Sequence, residues 1–214
     1  MRLFLVRHGA TANNVEQRYT GQSDIPLSEF GERQAEALAR RLAEQHFDTL
    51  VSSDLQRAYA TAERIARGRH QEIHADRALR EIDMGDWQGR TPAEVASTGG
   101  EALARWQADP IHCAPPGGET IAAVRDRLAQ ALATWRHRYP DGNVLWVTHG
   151  GVIGILLCHV LGMDLNRRWQ FRRDNASITE LEVGVDYAVI YLVNDTHHLA
   201  SLPTPEAVEA RQIL

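Results

Sequence analysis

Leu3-Phe4-Leu5-Val6-Arg7-His8-Gly9 opens the chain with four apolar residues that break straight into a cation, an imidazole and a glycine. A short continuous apolar run reads as a strand buried on both faces, the kind found in parallel sheets. Open α/β sheets place their ligands at the carboxyl ends of such strands. The pattern recurs far downstream, where Val144-Leu145-Trp146-Val147-Thr148 ends in His149-Gly150-Gly151 and an apolar, helix-like segment follows. Two histidines at strand ends point to one shared site.

Working outward from these two runs, the chain alternates strand and helix. Residues 9–26 read as a long polar loop, and loops of that length in compact domains are usually functional. Ser28 caps a helix with Ala35, Leu38, Ala39 and Leu42 on one stripe, and residues 47–51 form the next strand. Asp54 is the expected N-cap of a helix over 55–67, stopped by Gly68. Arg57 falls in its first turn, where a cation is disfavoured unless an anion sits between it and the helix dipole. A short strand at 73–75 leads into an acidic, glycine-punctuated loop over 79–89. Short helices near 92–95 and 101–108 read as a lid. Thr120 opens a long helix to about residue 139, and a helix over 151–161 follows the second buried strand. Residues 178–183 and 188–193 alternate around Gly184-Val185-Asp186-Tyr187 as a hairpin adding antiparallel edge strands. The expected fold is a three-layer α/β/α sandwich with a mostly parallel sheet and an antiparallel edge. It comprises a single domain over 1–202, lid helices near 91–108 and a polar tail over 203–214.

Composition narrows the function. Hydrophobic residues at 43% and charged residues at 24% suit a soluble globular chain, and 214 residues suffice for a full core. A net charge of −5 argues against a general nucleic-acid or anionic-membrane binder, so any cationic patch must be local. All 23 basic residues are arginine. Without lysine there is no Schiff-base chemistry and no lysine-dependent phosphate loop, whereas arginine is the better bidentate phosphate ligand. Cys113 and Cys158 make neither a disulfide framework nor a zinc cluster and fit free thiols in a reducing cytosol. The leading apolar run is too short for a secretory signal, and the best bilayer candidate, 144–161, is broken by Thr148-His149-Gly150-Gly151. His197-His198 lacks carboxylate or cysteine companions at useful spacing and reads as structural.

The order Arg7-His8-Gly9, Ser53-Asp54-Leu55-Gln56-Arg57-Ala58, Leu79-Arg80-Glu81 and His149-Gly150 resembles the histidine phosphatase superfamily, also called phosphoglycerate-mutase-like. Pro116-Gly117-Gly118-Glu119 and Asp174-Asn175-Ala176-Ser177 look like that family too, so the resemblance spans nearly the whole chain. It implies a phosphoglycerate-mutase-like fold, hydrolysis of phosphomonoesters of small metabolites without metal or other cofactor, and a homodimer. His8 is then the nucleophile, Arg7 and Arg57 clamp the phosphoryl oxygens, and a cationic His149 stabilises transition-state charge. Glu81 matches the family's general acid, its pKa raised by Asp83, Asp86 or the apolar Ile82 and Trp87. Thr11, Asn14, Thr20 and Gly21 match the phosphate-pocket loop, and Gly150 lies beside it.

Those residue types belong together for a chemical reason. Uncatalysed phosphomonoester hydrolysis is so slow that enzymes reach accelerations up to about 10²¹-fold, equivalent to about 29 kcal/mol, beyond any single group. A neutral imidazole splits the reaction into two transfers, fixed cations stabilise the loose transition state, and a carboxyl protonates the alkoxide. The chain departs from the family at Ala10, often acidic or polar in relatives. It also departs from the glycolytic mutases, which usually carry asparagine where Gly151 stands, a tyrosine-rich stretch after the acid and a longer basic insertion. The resemblance is therefore closer to the broad-specificity phosphatases. A mutase of the same chemistry and a non-catalytic phospho-ligand binder or regulatory protein are the alternatives. Arg167-Arg168 and Arg172-Arg173 are candidates for a second anion on the substrate.

Overall fold

The structure, a computed structural model, describes residues 1–202; the expected polar tail lies outside the described residues. In chain order the elements are β1 (Arg2–Arg7), α1 (Ala12–Val15), α2 (Glu29–Leu42), β2 (Thr49–Ser52), α3 (Gln56–Ala66) and β3 (Ile73–Ala75). Then follow α4 (Pro92–Thr98), α5 (Gly100–Ala108), α6 (Ile121–Arg138), β4 (Asn143–Thr148), α7 (Gly150–Val160), β5 (Ile178–Val183) and β6 (Ala188–Asp195). One sheet of order β3-β2-β4-β1-β5-β6 carries them. β1 to β4 run parallel, β5 is antiparallel to β1, and β6 is antiparallel to β5. The three-layer sandwich with an antiparallel edge follows from the sequence pattern: β1 and β4 are apolar on both faces and sit centrally, whereas β5 and β6 alternate.

Each face of the sheet has its own core. Leu3, Leu5, Val144 and Trp146 point toward α6 and α7 and pack with Leu128, Leu132, Val152 and Leu156. Phe4, Val6, Leu145 and Val147 point the other way, toward Leu38 and Leu42 of α2 and Ala58 and Ala62 of α3. This is the period-two rule of a strand read twice along neighbouring strands. A third, small cluster of Met84, Trp87 and Val95, with Tyr19, Leu103 and Trp106 against it, fastens α4 and α5 to the 80–90 loop. Trp87 meets Trp106 edge to face at 5.4 Å.

Local differences from the sequence reading have identifiable causes. Asp54 is not the cap of α3: its carboxylate accepts two hydrogen bonds of 2.6 Å from Arg80, and Asp24 caps the helix instead by accepting the Gln56 N–H at 2.7 Å. The polar loop after Gly9 contains the single-turn α1, closed by a reciprocal Thr11/Asn14 capping box. Ser28 and Thr120 cap α2 and α6 as expected. Cys113 and Cys158 are free thiols. The His198 ring donates to the Ala176 carbonyl at 3.0 Å, a structural bond. Among the described residues no helix is long and apolar enough to cross a membrane, and no three His, Cys, Asp or Glu side chains converge as a metal-ligand set.

Candidate active site

β1 and β4 are neighbours with Arg7 paired to Thr148, and the His8 N–H donates to the Thr148 carbonyl at 3.0 Å. The next residues are the two strand-end histidines. β1 leads to α2 on one face of the sheet and β4 leads to α7 on the other, so the chain parts here at a topological switch point, the place where open α/β sheets hold their ligand crevice. His8 is 3% exposed and His149 fully buried, with ring centroids 5.0 Å apart and planes at 60°. Gly9 fixes the exit from β1. A side chain there would place its Cβ 2.4 Å from the Gly31 carbonyl oxygen, and one on Gly31 would meet the Ala10 oxygen at 2.0 Å. Only two glycines let the post-strand loop lie against α2 this closely.

Hydrogen bonding sets the form of His8. Its Nδ1–H donates to the Gly9 carbonyl at 2.7 Å, leaving Nε2 as the lone-pair nitrogen, which accepts from Arg57 Nε at 3.3 Å. Burial first, then the charges of Arg57 and Arg7, holds His8 well below the usual imidazole range. His149 is held low in the same way by burial, Arg57, His8 and Arg7. Burial first, and then the two guanidiniums beside it, thus disfavour in the free protein the cationic His149 that the resemblance implies. Burial brings Arg7 and Arg57 down to about 10, opposed in both by the charge of Glu81, and both remain protonated at neutral pH. Arg57 is fixed by donating to the Gly21 and Ser23 carbonyls, each at 2.8 Å. Arg7 donates to the Arg173 carbonyl.

Glu81 reaches this cluster at the first turn of α7. Its Oε1 accepts the Ile82 N–H at 2.9 Å and its Oε2 the Gly151 N–H at 3.1 Å. The carboxylate occupies the space where a Gly151 side chain would be, since a Cβ there would sit 2.3 Å from Oε1. Arg127 and Gln22 pin the Glu81 backbone by donating to its carbonyl at 3.1 and 3.2 Å. Asp83 is engaged elsewhere, accepting the Gly85 N–H at 2.9 Å.

The five residues read as catalytic thus converge on one crevice. The pocket-loop residues divide. Thr11 and Asn14 form the cap of α1, and Asn175 donates both to the His8 carbonyl at 3.1 Å and to Asn14 Oδ1 at 3.2 Å, tying that cap to the His8 backbone. Gly21 holds Arg57 through its carbonyl, with φ at +51°. Gly150 backs Arg7, whose Nε lies 3.2 Å from where its Cβ would be. Thr20 turns its hydroxyl to the Arg18 carbonyl at 3.5 Å. Of the arginine pairs, Arg172 is bound to Asp174 at 2.7 Å, Arg168 holds the Leu165 carbonyl at 3.2 Å, and Arg173 holds the Gly150 carbonyl at 3.0 Å beside the site. Sequence reasoning gave no role to Gly151 or to Ser53, whose Oγ lies 2.9 Å from His149 Nε2. Glycine doublets after a strand-end histidine were the available signal for Gly151; nothing local marks Ser53.

The sequence profile of the Histidine phosphatase superfamily (branch 1) matches residues 3–196, and the chain belongs to that superfamily. Its members are phosphomonoesterases acting through a phosphohistidine. Among relatives, the chain is 36% identical to phosphoserine phosphatase 1 of Hydrogenobacter thermophilus, covering 93% of this chain and 94% of that one. It is 35% identical to a probable phosphoglycerate mutase of Cronobacter sakazakii over 85% of each chain. The α-ribazole phosphatase of Shigella flexneri has a similar structure, with a TM-score of 0.85 at 31% identity over 91% of this chain and 96% of that one.

Proposed function

We propose that this chain hydrolyses phosphomonoesters of small metabolites without a metal, with His8 Nε2 as the nucleophile. The observation that carries this reading is the state of His8: a lone pair on Nε2, fixed by the Gly9 carbonyl, beside Arg57 and the second imidazole. In the first step His8 Nε2 attacks phosphorus while the P–O bond to the alcohol breaks, and a protonated Glu81 gives its proton to the departing oxygen. In the second, Glu81 takes a proton from water as the water oxygen attacks the phosphohistidine, releasing inorganic phosphate and free His8. Arg7 and Arg57 hold the phosphoryl oxygens throughout. The alcohol portion lies on the Glu81 side, toward the α4–α5 lid fastened by Trp87 and Trp106.

The substrates of relatives suggest the class: phosphoserine and α-ribazole phosphate are small monoesters on a primary alcohol. The test is a phosphatase screen over phosphoserine, phosphoglycerates, sugar phosphates and nucleoside-like phosphates in excess chelator, scored by kcat/KM. Turnover by the wild type and none by His8→Ala supports the reading; activity abolished by chelator overturns its metal-free step. The mutase alternative shares all of this chemistry. Incubation with 3-phosphoglycerate and a trace of the bisphosphate separates the two, because phosphate release without isomer formation excludes a mutase. Binding of phosphorylated ligands without turnover leaves the non-catalytic alternative standing.

A further inference from the structure

We propose that Ser53 is a positioning residue that fixes the tautomer of His149, holding its proton on Nδ1 so that a neutral imidazole donates to the phosphoryl group. Ser53 Oγ has two neighbours. The Leu55 N–H points at it from 3.3 Å, so there Oγ accepts, and His149 Nε2 lies 2.9 Å away. A serine hydroxyl carries one proton. With Leu55 donating to it, that proton goes to His149 Nε2, which is thereby the lone-pair nitrogen of the ring. The imidazole proton then resides on Nδ1, a buried atom with no partner among the described residues.

The opposite arrangement fails a hydrogen-bond count. With Nε2–H donating to Ser53, the hydroxyl proton has no acceptor among the described residues, and the Nδ1 lone pair is stranded as well. Two buried groups go unmet instead of one, which buried polar networks avoid. The single group left open in the favoured tautomer is a donor, on a ring 5.0 Å from the nucleophile and fully buried. A phosphoryl oxygen brought to His8 supplies the acceptor. His149 therefore acts as a preorganised neutral donor, which costs no extra charge in a crevice already holding Arg7 and Arg57. The two histidines then use opposite faces: His8 keeps its proton on Nδ1 to free Nε2 for attack, and His149 keeps its own on Nδ1 to present it.

This inference rests on the phosphatase reading for its purpose but not for its readout. Nitrogen-15 NMR of histidine-labelled protein at pH 7.5 reports the ring tautomer without any substrate. The expected wild-type result is a protonated-type Nδ1 and an unprotonated-type Nε2 at His149. In Ser53→Ala that preference is lost, and orthovanadate binding no longer shifts the Nδ1–H resonance as it does in the wild type. The same variant is expected to lose about 10- to 100-fold in kcat, with KM changed less, since one aligned donor is worth about 10²- to 10³-fold and part is recovered when the substrate reselects the tautomer. Ser53→Thr, which keeps the hydroxyl, restores the Nδ1–H form. A wild-type His149 protonated on Nε2, or a Ser53→Ala protein with the wild-type tautomer, overturns the proposal whether or not the protein proves to be a phosphatase.

Discussion

Replacing Gly151 by alanine tests the proposed acid, Glu81, separately from the rest of the site. A Cβ at this position lies 2.3 Å from Glu81 Oε1, 2.8 Å from Ile82 Cδ1 and 3.2 Å from Glu81 Cδ. Normal contact requires more than about 3.2 Å, so the carboxylate must retreat by about 1 Å, and its bond to the Gly151 N–H goes with it. The obstructing atoms are ends of flexible side chains, not backbone. Folding is thus spared, and alanine near a helix start even recovers up to about 1 kcal/mol of propensity over glycine. Catalysis is not spared: misplacement by about 1 Å costs on the order of 10²-fold, within the roughly 10²- to 10⁴-fold contribution of a general acid. The expected loss in kcat/KM is about 100-fold, or about 2.7 kcal/mol of barrier, on an alkyl phosphate. On an aryl ester such as a nitrophenyl phosphate, whose leaving group departs without a proton, the expected loss is under about 10-fold. The assay is phosphate release from the two esters, compared as kcat/KM so that only the first transfer is read, beside a denaturant unfolding curve. Equal losses on both esters, or full activity on the alkyl ester, would refute the assignment of Glu81 as the acid and of Gly151 as its seat.

The buried histidines also set a pH dependence of stability. His8 and His149 both have folded pKa values depressed well below 6.5, so below that pH the unfolded chain binds protons that the native state refuses, and stability falls as pH falls. From pH 7.5 to 5.5 each contributes a loss of at most about 1.4 kcal/mol, at most about 2.7 kcal/mol together, and nothing further is gained above pH 7.5. Urea unfolding of the wild type and His8→Asn at both pH values checks this; parallel pH dependences would contradict it. At Gly31 the obstruction is backbone: an alanine Cβ meets the Ala10 oxygen at 2.0 Å and the Ala10 nitrogen at 2.8 Å. Gly31→Ala is expected to lose about 1–2 kcal/mol net of its helix-propensity gain, lowering Tm by about 2–8 °C in a thermal scan. Since the loop that yields is the one following His8, kcat falls too; a Tm at or above the wild type's would show that α2 moves freely.

How far the sequence could be read depended on whether a feature was local. β1 and β4 were legible because an unbroken apolar run bounded by polar residues has few other interpretations, and β5 and β6 because alternation is local. The convergence of His8 and His149 followed from two strand ends of one kind. Where a residue's partner is distant in sequence, reading failed. Asp54 has the chemistry of a cap, but Arg80 competes for it, and Asp24 takes over the helix end from an intervening loop. The electrostatics of His149 were out of reach for the same reason: burial and two arginines act on it together and disfavour its cationic form. Ser53 gains its meaning only from the His149 ring it touches.

The pairing of Arg7 with Thr148 has a consequence for the birth of the enzyme. His8 is synthesised well before its partner imidazole, His149. A slip of one residue between the strands would part the rings by about 3.3 Å and turn them to opposite faces. A nascent polypeptide on the ribosome therefore carries a reactive-looking motif with no chemistry to perform. Regain of turnover during refolding will time the docking of the central ladder rather than the appearance of helices.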